Sequence, residues 1–239
     1  MANRLAILLT ATIDPRGMTR LKRSAPAARE ADYATALAFW QKQGLPVVFC
    51  ENSGTRSPKI DALAAKHNQT EILVFKDPNH LPERGKGYGE MRIVAHALSH
   101  SSLLGQADLI IKVTGRYRIR NFAAFVKPFQ HSDADVLANF ERFLTWVDTR
   151  FLAFRAAFFR EHVAPQTESV DDSTDNGFEK VWARAVHRGL ASGVIWRPLP
   201  EFPIIDGVYG TENHPYANPR AWVLFRKLLC RAGLRYLRG

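Results

Sequence analysis

Asp108-Leu109-Ile110-Ile111-Lys112-Val113-Thr114-Gly115-Arg116-Tyr117 is the stretch from which the fold is read. Its apolar, β-branched residues suit a strand over Asp108–Thr114 that is covered on both faces, and the glycine-containing polar turn after it ends the strand. Working back along the chain, Leu5–Thr10, Val47–Cys50 and Glu71–Phe75 carry the same signature. Between them, helical spacing runs over Arg29–Gly44, Ser57–His67 and Glu90–Leu104. Strands and helices alternating in this way build a mostly parallel Rossmann-type sheet with helices on both faces.

Forward of Tyr117 the pattern loosens. Asp135–Asn139 and Val194–Pro198 are read as strands, Phe178–Arg188 as a helix, and Thr149–His162 as a loop entering a helix. Glu161–Asn176, rich in Asp, Ser and Thr, is expected to be a mobile loop, and Ile204–Asn213 a further loop. Phe151, Phe154, Phe158 and Phe159 are assigned to the core. No linker divides the chain, so one domain is expected over residues 1–218, followed by a basic amphipathic helix over 219–239.

Composition bounds the function. Of the 239 residues, 46% are hydrophobic and 23% charged, which excludes a disordered or fibrous chain. No apolar run approaches the roughly 18–20 residues of a membrane-spanning helix. The first residues lead straight into a strand without a signal-peptide apolar region, so a cytoplasmic location is expected. Cys50 and Cys230 are too few and too far apart for a disulfide framework or a cysteine zinc site. The net charge is +10, and Arg220–Gly239 holds six basic residues and no acidic one. That segment points to an anionic surface, membrane or nucleic acid.

In an open parallel sheet, ligands bind beyond the carboxyl ends of the strands. Four polar segments stand at such ends: Thr10-Ala11-Thr12, Glu51-Asn52-Ser53-Gly54, Glu83–Glu90 and Lys112–Tyr117. In Gly85-Lys86-Gly87-Tyr88-Gly89-Glu90, alternate glycines let a ligand approach the backbone, and the helix that follows offers N–H groups to an anion. The segment is neither a Walker loop nor a dinucleotide fingerprint. His80, His96 and His100 have no intervening carboxylate of metalloprotease type and are read as surface or core residues.

The loop Gly85–Glu90, the helix after it and Ala107–Lys112 together resemble the centre of GT-A-type glycosyltransferases. The opening Ala6–Thr12 and Cys50–Ser53 resemble the nucleotide-binding strands of those enzymes. The pairing of Lys-Gly-Tyr-Gly-Glu with Lys-Val-Thr-Gly-Arg-Tyr is similar to bacterial transferases of capsule and lipopolysaccharide synthesis, and the likeness extends over roughly residues 5–215. It implies a nucleotide-binding half over 1–120 and an acceptor half over 121–218. It further implies a nucleotide-sugar donor, a glycan or lipid-linked acceptor, and work at the inner face of the cytoplasmic membrane.

The sequence departs from the family pattern at one informative place. Where the resemblance calls for a metal-holding Asp-x-Asp, the chain has Lys112-Val113-Thr114-Gly115-Arg116. A cationic, hydroxyl-bearing set meets phosphate charge directly, so no metal and no other cofactor is expected. The literal Asp133-Ala134-Asp135 precedes an apolar run and is read as a strand-opening turn.

Thr10, Ala11, Thr12, Glu51, Asn52, Lys86, Gly87, Gly89, Glu90, Lys112, Thr114 and Gly115 are the expected donor-binding set, with Arg116 catalytic beside them. A base that takes the acceptor proton is sought among Glu90, Glu179, Asp206 and Glu212, with Glu179 and Asp206 preferred; a retaining transfer needs none of them. Arg150, Thr211 and Glu212 are assigned to the acceptor. Arg226, Lys227, Arg231 and Arg235 are assigned to an anionic membrane surface. A nucleic-acid partner is not expected. The rivals are a basic nucleic-acid-binding module and another nucleotide-dependent transferase.

Overall fold

The computed structural model describes residues 2–18, 21–78, 81–210 and 212–231. Four parallel strands form one half of a seven-stranded sheet: β1 (Leu5–Ala11), β2 (Val47–Glu51), β3 (Thr70–Val74) and β4 (Leu109–Thr114), in the order β3-β2-β1-β4. Every residue of β1 and β2 is buried, as continuous apolar strands require. The register sets Leu8 beside Lys112 and Thr10 beside Thr114, so two threonines meet at the carboxyl end.

Further along the chain come β5 (Arg118–Ile119), β6 (Val136–Leu137), β7 (Phe140–Glu141), β8 (Trp146–Val147), β9 (Phe151–Phe154), β10 (Trp196–Arg197) and β11 (Ile205–Asp206). The sheet is completed in the order β10-β6-β9-β4, with β9 antiparallel to both β4 and β6. Strands β7 and β8 form a hairpin, and β11 pairs with β5. Phe151–Phe154, expected within a loop entering a helix, is therefore a fully buried inner strand. A four-residue apolar run reads equally as helix or strand, and only its neighbours decide. The four phenylalanines assigned to the core are buried.

The helices are α1 (Pro26–Gln41), α2 (Pro58–Ala64), α3 (Lys86–His100), α4 (Ser102–Gly105), α5 (Ala123–Gln130), α6 (Ala156–Phe158), α7 (Phe178–Ala191) and α8 (Arg220–Arg231). Helices α3 and α7 cover one sheet face, where Met91, Val94 and Trp182 pack on Leu8, Val48 and Ile110. Helices α1 and α5 cover the other, with Leu37, Trp40 and Phe125 on Ile7, Leu9 and Ile111.

Three loop expectations are corrected. Helix α3 begins at Lys86, so Gly87 and Gly89 belong to its first turn and Gly85, at φ 86°, is its N-cap. Residues 159–174 fold into a π-helical turn (Phe159–Val163) and two 3₁₀ turns (Ala164–Ser169, Asp172–Thr174), anchored by buried Val163 and Val170. Polar composition hid these two anchors. Ile204–Asn213 contains β11. The literal Asp-x-Asp ties β6 to β10: Asp133 pairs with Arg197 at 2.8 Å, and Asp135 accepts the Ile195 N–H at 2.9 Å.

Candidate active site

Three adjoining hollows run along the carboxyl ends of β1, β2 and β4. The first, about 470 Å³, lies beyond β2 and is lined by Thr12, Asn52, Ser53, Thr55, Lys76 and Asp77, among others. A narrow middle section shares Thr12 with it and is lined by Thr10, Arg29, Lys86, Glu90, Thr114 and Arg116. The third, about 480 Å³, shares Met18, Leu21 and Lys86 with the middle section and reaches Trp146, Asp172 and Glu179.

The floor of the middle section is a closed ionic cluster. Lys112, with a fully buried side chain, places Nζ 2.5 Å from Glu90 Oε1 and donates to the Thr149 carbonyl at 2.5 Å. The hydroxyls of Thr10 and Thr114 donate to the same Glu90 oxygen at 2.7 and 3.1 Å. Burial alone would raise the Glu90 carboxyl, but the Lys112 ammonium and these hydrogen bonds outweigh it and hold the group below its ordinary range. Lys112 therefore faces Glu90 and a backbone carbonyl, and Glu90 is committed as its counter-ion.

Among the cations that line the section, Arg116 is left open to a ligand. The turn that carries it packs tightly: the Gly115 N–H donates to the Thr10 carbonyl at 2.9 Å, and a β-carbon at Gly115 would lie 2.6 Å from that oxygen. This glycine serves strand contact. Arg116 is 8% exposed, its Nη1 donates to the Val208 carbonyl at 3.1 Å, and its buried Nε has no partner among the described residues. A buried guanidinium with an unmade hydrogen bond at the carboxyl end of a central strand suits an anionic ligand. Arg29 lines the same section and is held by the Thr12 carbonyl and the Tyr33 hydroxyl.

Opposite this cationic side stand two carboxylates. Glu179, in the first turn of α7, and Asp172 flank Gly177: a β-carbon there would lie 3.2 Å from Glu179 Oε2 and 3.0 Å from Asp172 Oδ1. Burial raises both carboxyls above their ordinary values, while nearby Lys86 works against the rise. Asp172 also answers a question left by the glycines. The Gly87 N–H donates to its Oδ2 at 3.1 Å, and β-carbons at Gly85 and Gly87 would lie 2.5 and 2.7 Å from its carboxylate. The first turn of α3 is thus occupied by the protein's own anion, and its glycines make room for that side chain.

The other expected residues are distributed as follows. Thr12 donates to Asn52 Oδ1 at 2.7 Å, and both line the hollow beyond β2. Ala11 lies in the core beneath them, and Gly89 brings α3 close to Asn52. Glu51 is fully buried and accepts the N–H groups of Ile13, Ser53 and Thr55, so it fastens the loops after β1 and β2. Asp206 is paired with Arg118 at 3.0 Å and Arg120 at 3.3 Å, away from the cleft lining. Arg150 is paired with Asp148 at 2.7 Å and donates to the Tyr216 hydroxyl at 3.2 Å, beside a separate small cavity. Glu212 is exposed and bonded to His214, and Thr211 and Arg235 lie outside the described residues. Arg226 and Lys227 turn toward the body, to Glu141 and Glu201, rather than to an outer surface.

Sequence reasoning missed Arg29 and Asp172. Arg29 had a signal, a basic residue four before Tyr33 on the apolar side of α1. Asp172 had none, because its partner Gly87 lies 85 positions away.

The GT-A fold family implies a divalent metal at the end of the fourth strand. Here that position holds Thr114, Gly115 and Arg116, a hydroxyl and a cation. Among the described residues no group of three or more His, Cys, Asp or Glu side chains could hold an ion. The donor set does not fit a metal.

No family model matches the chain, and no curated protein matches it in sequence. Solved structures do match in fold. The mannosyltransferase PcManGT from Pyrobaculum calidifontis, in complex with GDP-Man and Mn2+, aligns over 97% of this chain at 13% identity and a TM-score of 0.53. The chain spans 61% of that protein's length. The galactosyltransferase LgtC, in complex with donor and acceptor sugar analogues, aligns over 80% of this chain and 72% of its own, at 11% identity and a TM-score of 0.50. With the mixed seven-stranded sheet and its two helical layers, these likenesses show that the chain has a GT-A-like, Rossmann-type fold.

Proposed function

We propose that the protein is a glycosyltransferase that moves a sugar from a nucleoside diphosphate to an acceptor hydroxyl without a divalent metal. The carrying observation is Arg116, buried, short of one hydrogen bond, and set beside Thr10 and Thr114 where the fold family keeps its metal. The nucleoside lies beyond β2, against Thr12, Asn52 and Ser53, and the diphosphate meets Arg116 and Lys86 in the middle section. The sugar extends toward Glu179. The acceptor oxygen attacks the anomeric carbon and the bond to the diphosphate breaks. The nucleoside diphosphate leaves with the electron pair, its charge held by the guanidinium. Glu179 accepts the acceptor proton.

The raised carboxyl of Glu179 and its place in the wide hollow support it as the base over Asp206, which two arginines already engage. The acceptor we assign is a surface polysaccharide or lipid-linked glycan, on the likeness of the Lys86–Glu90 and Lys112–Tyr117 segments to bacterial capsule and lipopolysaccharide transferases. Calorimetric titration with UDP, GDP, CMP and TDP, each with Mg²⁺ and with EDTA, tests the reading. One nucleotide should bind and keep its affinity in EDTA. Strict dependence on metal would refute the metal-free site, and binding of none would refute the transferase reading.

A further inference from the structure

Helix α8 is built inside out. Arg226 Nη2 lies 3.2 Å from Glu141 Oε1, with its guanidinium 4.9 Å over the Phe202 ring, and Lys227 Nζ lies 3.9 Å from Glu201 Oε2. Two of its cations are thus drawn onto the body. Ala221, Leu224, Phe225 and Leu228 follow the i, i+3, i+4, i+7 spacing of a single helix face, and that face is exposed. Leu224 is 61%, Phe225 49% and Leu228 56% exposed, with Trp222 at the edge of the stripe. A helix resting on its own domain would bury such a stripe. Held outward by two ion pairs, it marks an interaction surface.

A second exposed apolar side chain stands on the hairpin that Arg226 of α8 contacts. In the turn between β7 and β8, Arg142, Phe143 and Leu144 all adopt left-handed backbone at φ 49°, 53° and 68°. That conformation is costly for such residues and is kept where it serves a role. Phe143, two residues past the contact of Glu141 with Arg226, is 69% exposed. Trp146 of the same hairpin lines the wide hollow that holds Glu179.

Charge identifies the occupant. Arg220–Gly239 carries six basic residues and no acidic one; Glu141 and Glu201 engage Arg226 and Lys227, and the sequence adds Arg220, Arg231, Arg235 and Arg238. A second copy of the chain would set one cationic segment against another. An anionic lipid surface offers an apolar boundary for the stripe and negative charge for the arginines. Among the described residues no helix is long and apolar enough to cross a membrane.

We propose that α8 lies in the plane of an anionic bilayer, inserting Leu224, Phe225 and Leu228, and so brings the acceptor side of the cleft to the lipid surface. The cations expected to face the membrane instead hold the helix in this orientation. Lipid binding is measured without any donor, so the anchor and the transferase reading fail separately.

The test is co-sedimentation of the full chain with vesicles of phosphatidylcholine alone and of phosphatidylcholine mixed with phosphatidylglycerol. The chain should sediment with the mixed vesicles. A Leu224→Ser/Phe225→Ser/Leu228→Ser variant should bind roughly 100-fold more weakly, three apolar side chains having been removed from the boundary. Its melting temperature should be unchanged, because the three side chains face outward. Arg226→Ala should also weaken binding, through loss of the helix's orientation. Absence of sedimentation with mixed vesicles, or equal binding by the triple variant, would overturn the proposal. So would a dimer in sedimentation equilibrium that the triple variant converts to a monomer.

Discussion

The two sides of the cleft handle charge in opposite ways. On the sheet side, Lys112 and Glu90 neutralise one another in a cluster closed by two threonine hydroxyls, and Arg116 above them keeps an unmade hydrogen bond. On the helix side, Asp172 and Glu179 flank Gly177, and burial raises both carboxyls although backbone N–H groups and Lys86 work against the rise. In the proposed reaction one side serves as the cationic receptor and the other as the proton acceptor. A closed ion pair below supports an open charge above, which is how a fold keeps a reactive group in place without satisfying it.

Breaking the sheet side at its base should have the largest effect. Lys112→Met leaves the Glu90 carboxylate buried without its counter-ion, and stability should fall by about 3–5 kcal/mol. For a chain of this length that is a drop of about 10 °C in melting temperature by calorimetry. Adding Glu90→Gln to Lys112→Met should recover most of the loss. A single variant that melts like the parent would show the pair to be idle.

Arg116→Ala tests the same side at its open end. Loss of a charge-assisted contact should weaken nucleoside diphosphate binding by about 10–100-fold, or about 1.5–3 kcal/mol, with little change in melting temperature. Unaltered affinity in titration calorimetry would move the anion site elsewhere.

The helix side should respond in the reverse sense. Glu179→Gln should lower turnover by about 10²–10⁴-fold while leaving nucleotide affinity intact. Because the folded-state carboxyl of Glu179 is raised, ionising it opposes folding above that value. The variant should therefore melt higher than the parent at neutral pH. The advantage should shrink as pH falls and vanish below the ordinary glutamate value of about 4.5, where the carboxyl is protonated folded or unfolded. A variant that loses activity and stability together would point to a structural role. The smallest effect belongs to Asp133→Asn, which removes an exposed ion pair with Arg197. Both the melting temperature and nucleotide affinity should stay within error, in keeping with a turn that ties β6 to β10.

Much of the first half of the chain was legible. Strands β1 to β4 stand where unbroken apolar runs placed them, and Thr10, Thr12, Asn52, Thr114 and Arg116 sit at or just past their carboxyl ends. Lys112 was misread because a lysine near a strand end looks available, while its partner is set by how α3 packs over the sheet. Gly85 and Gly87 signalled a close approach correctly, but the approaching group is Asp172. Strand β9 was missed because its neighbours β4 and β6 are distant in sequence.

The sequence by itself determined the sheet, its covered faces and the polar groups at the strand ends, because hydrophobic periodicity and turn residues act over a few positions. Only the tertiary structure decided which charges are consumed and which remain open. Glu90 with Lys112, Asp172 with Gly87 and Arg226 with Glu141 are contacts through space, the last two across 85 positions. Electrostatic energy depends on such distances and on burial, and neither is written in the local order of residues.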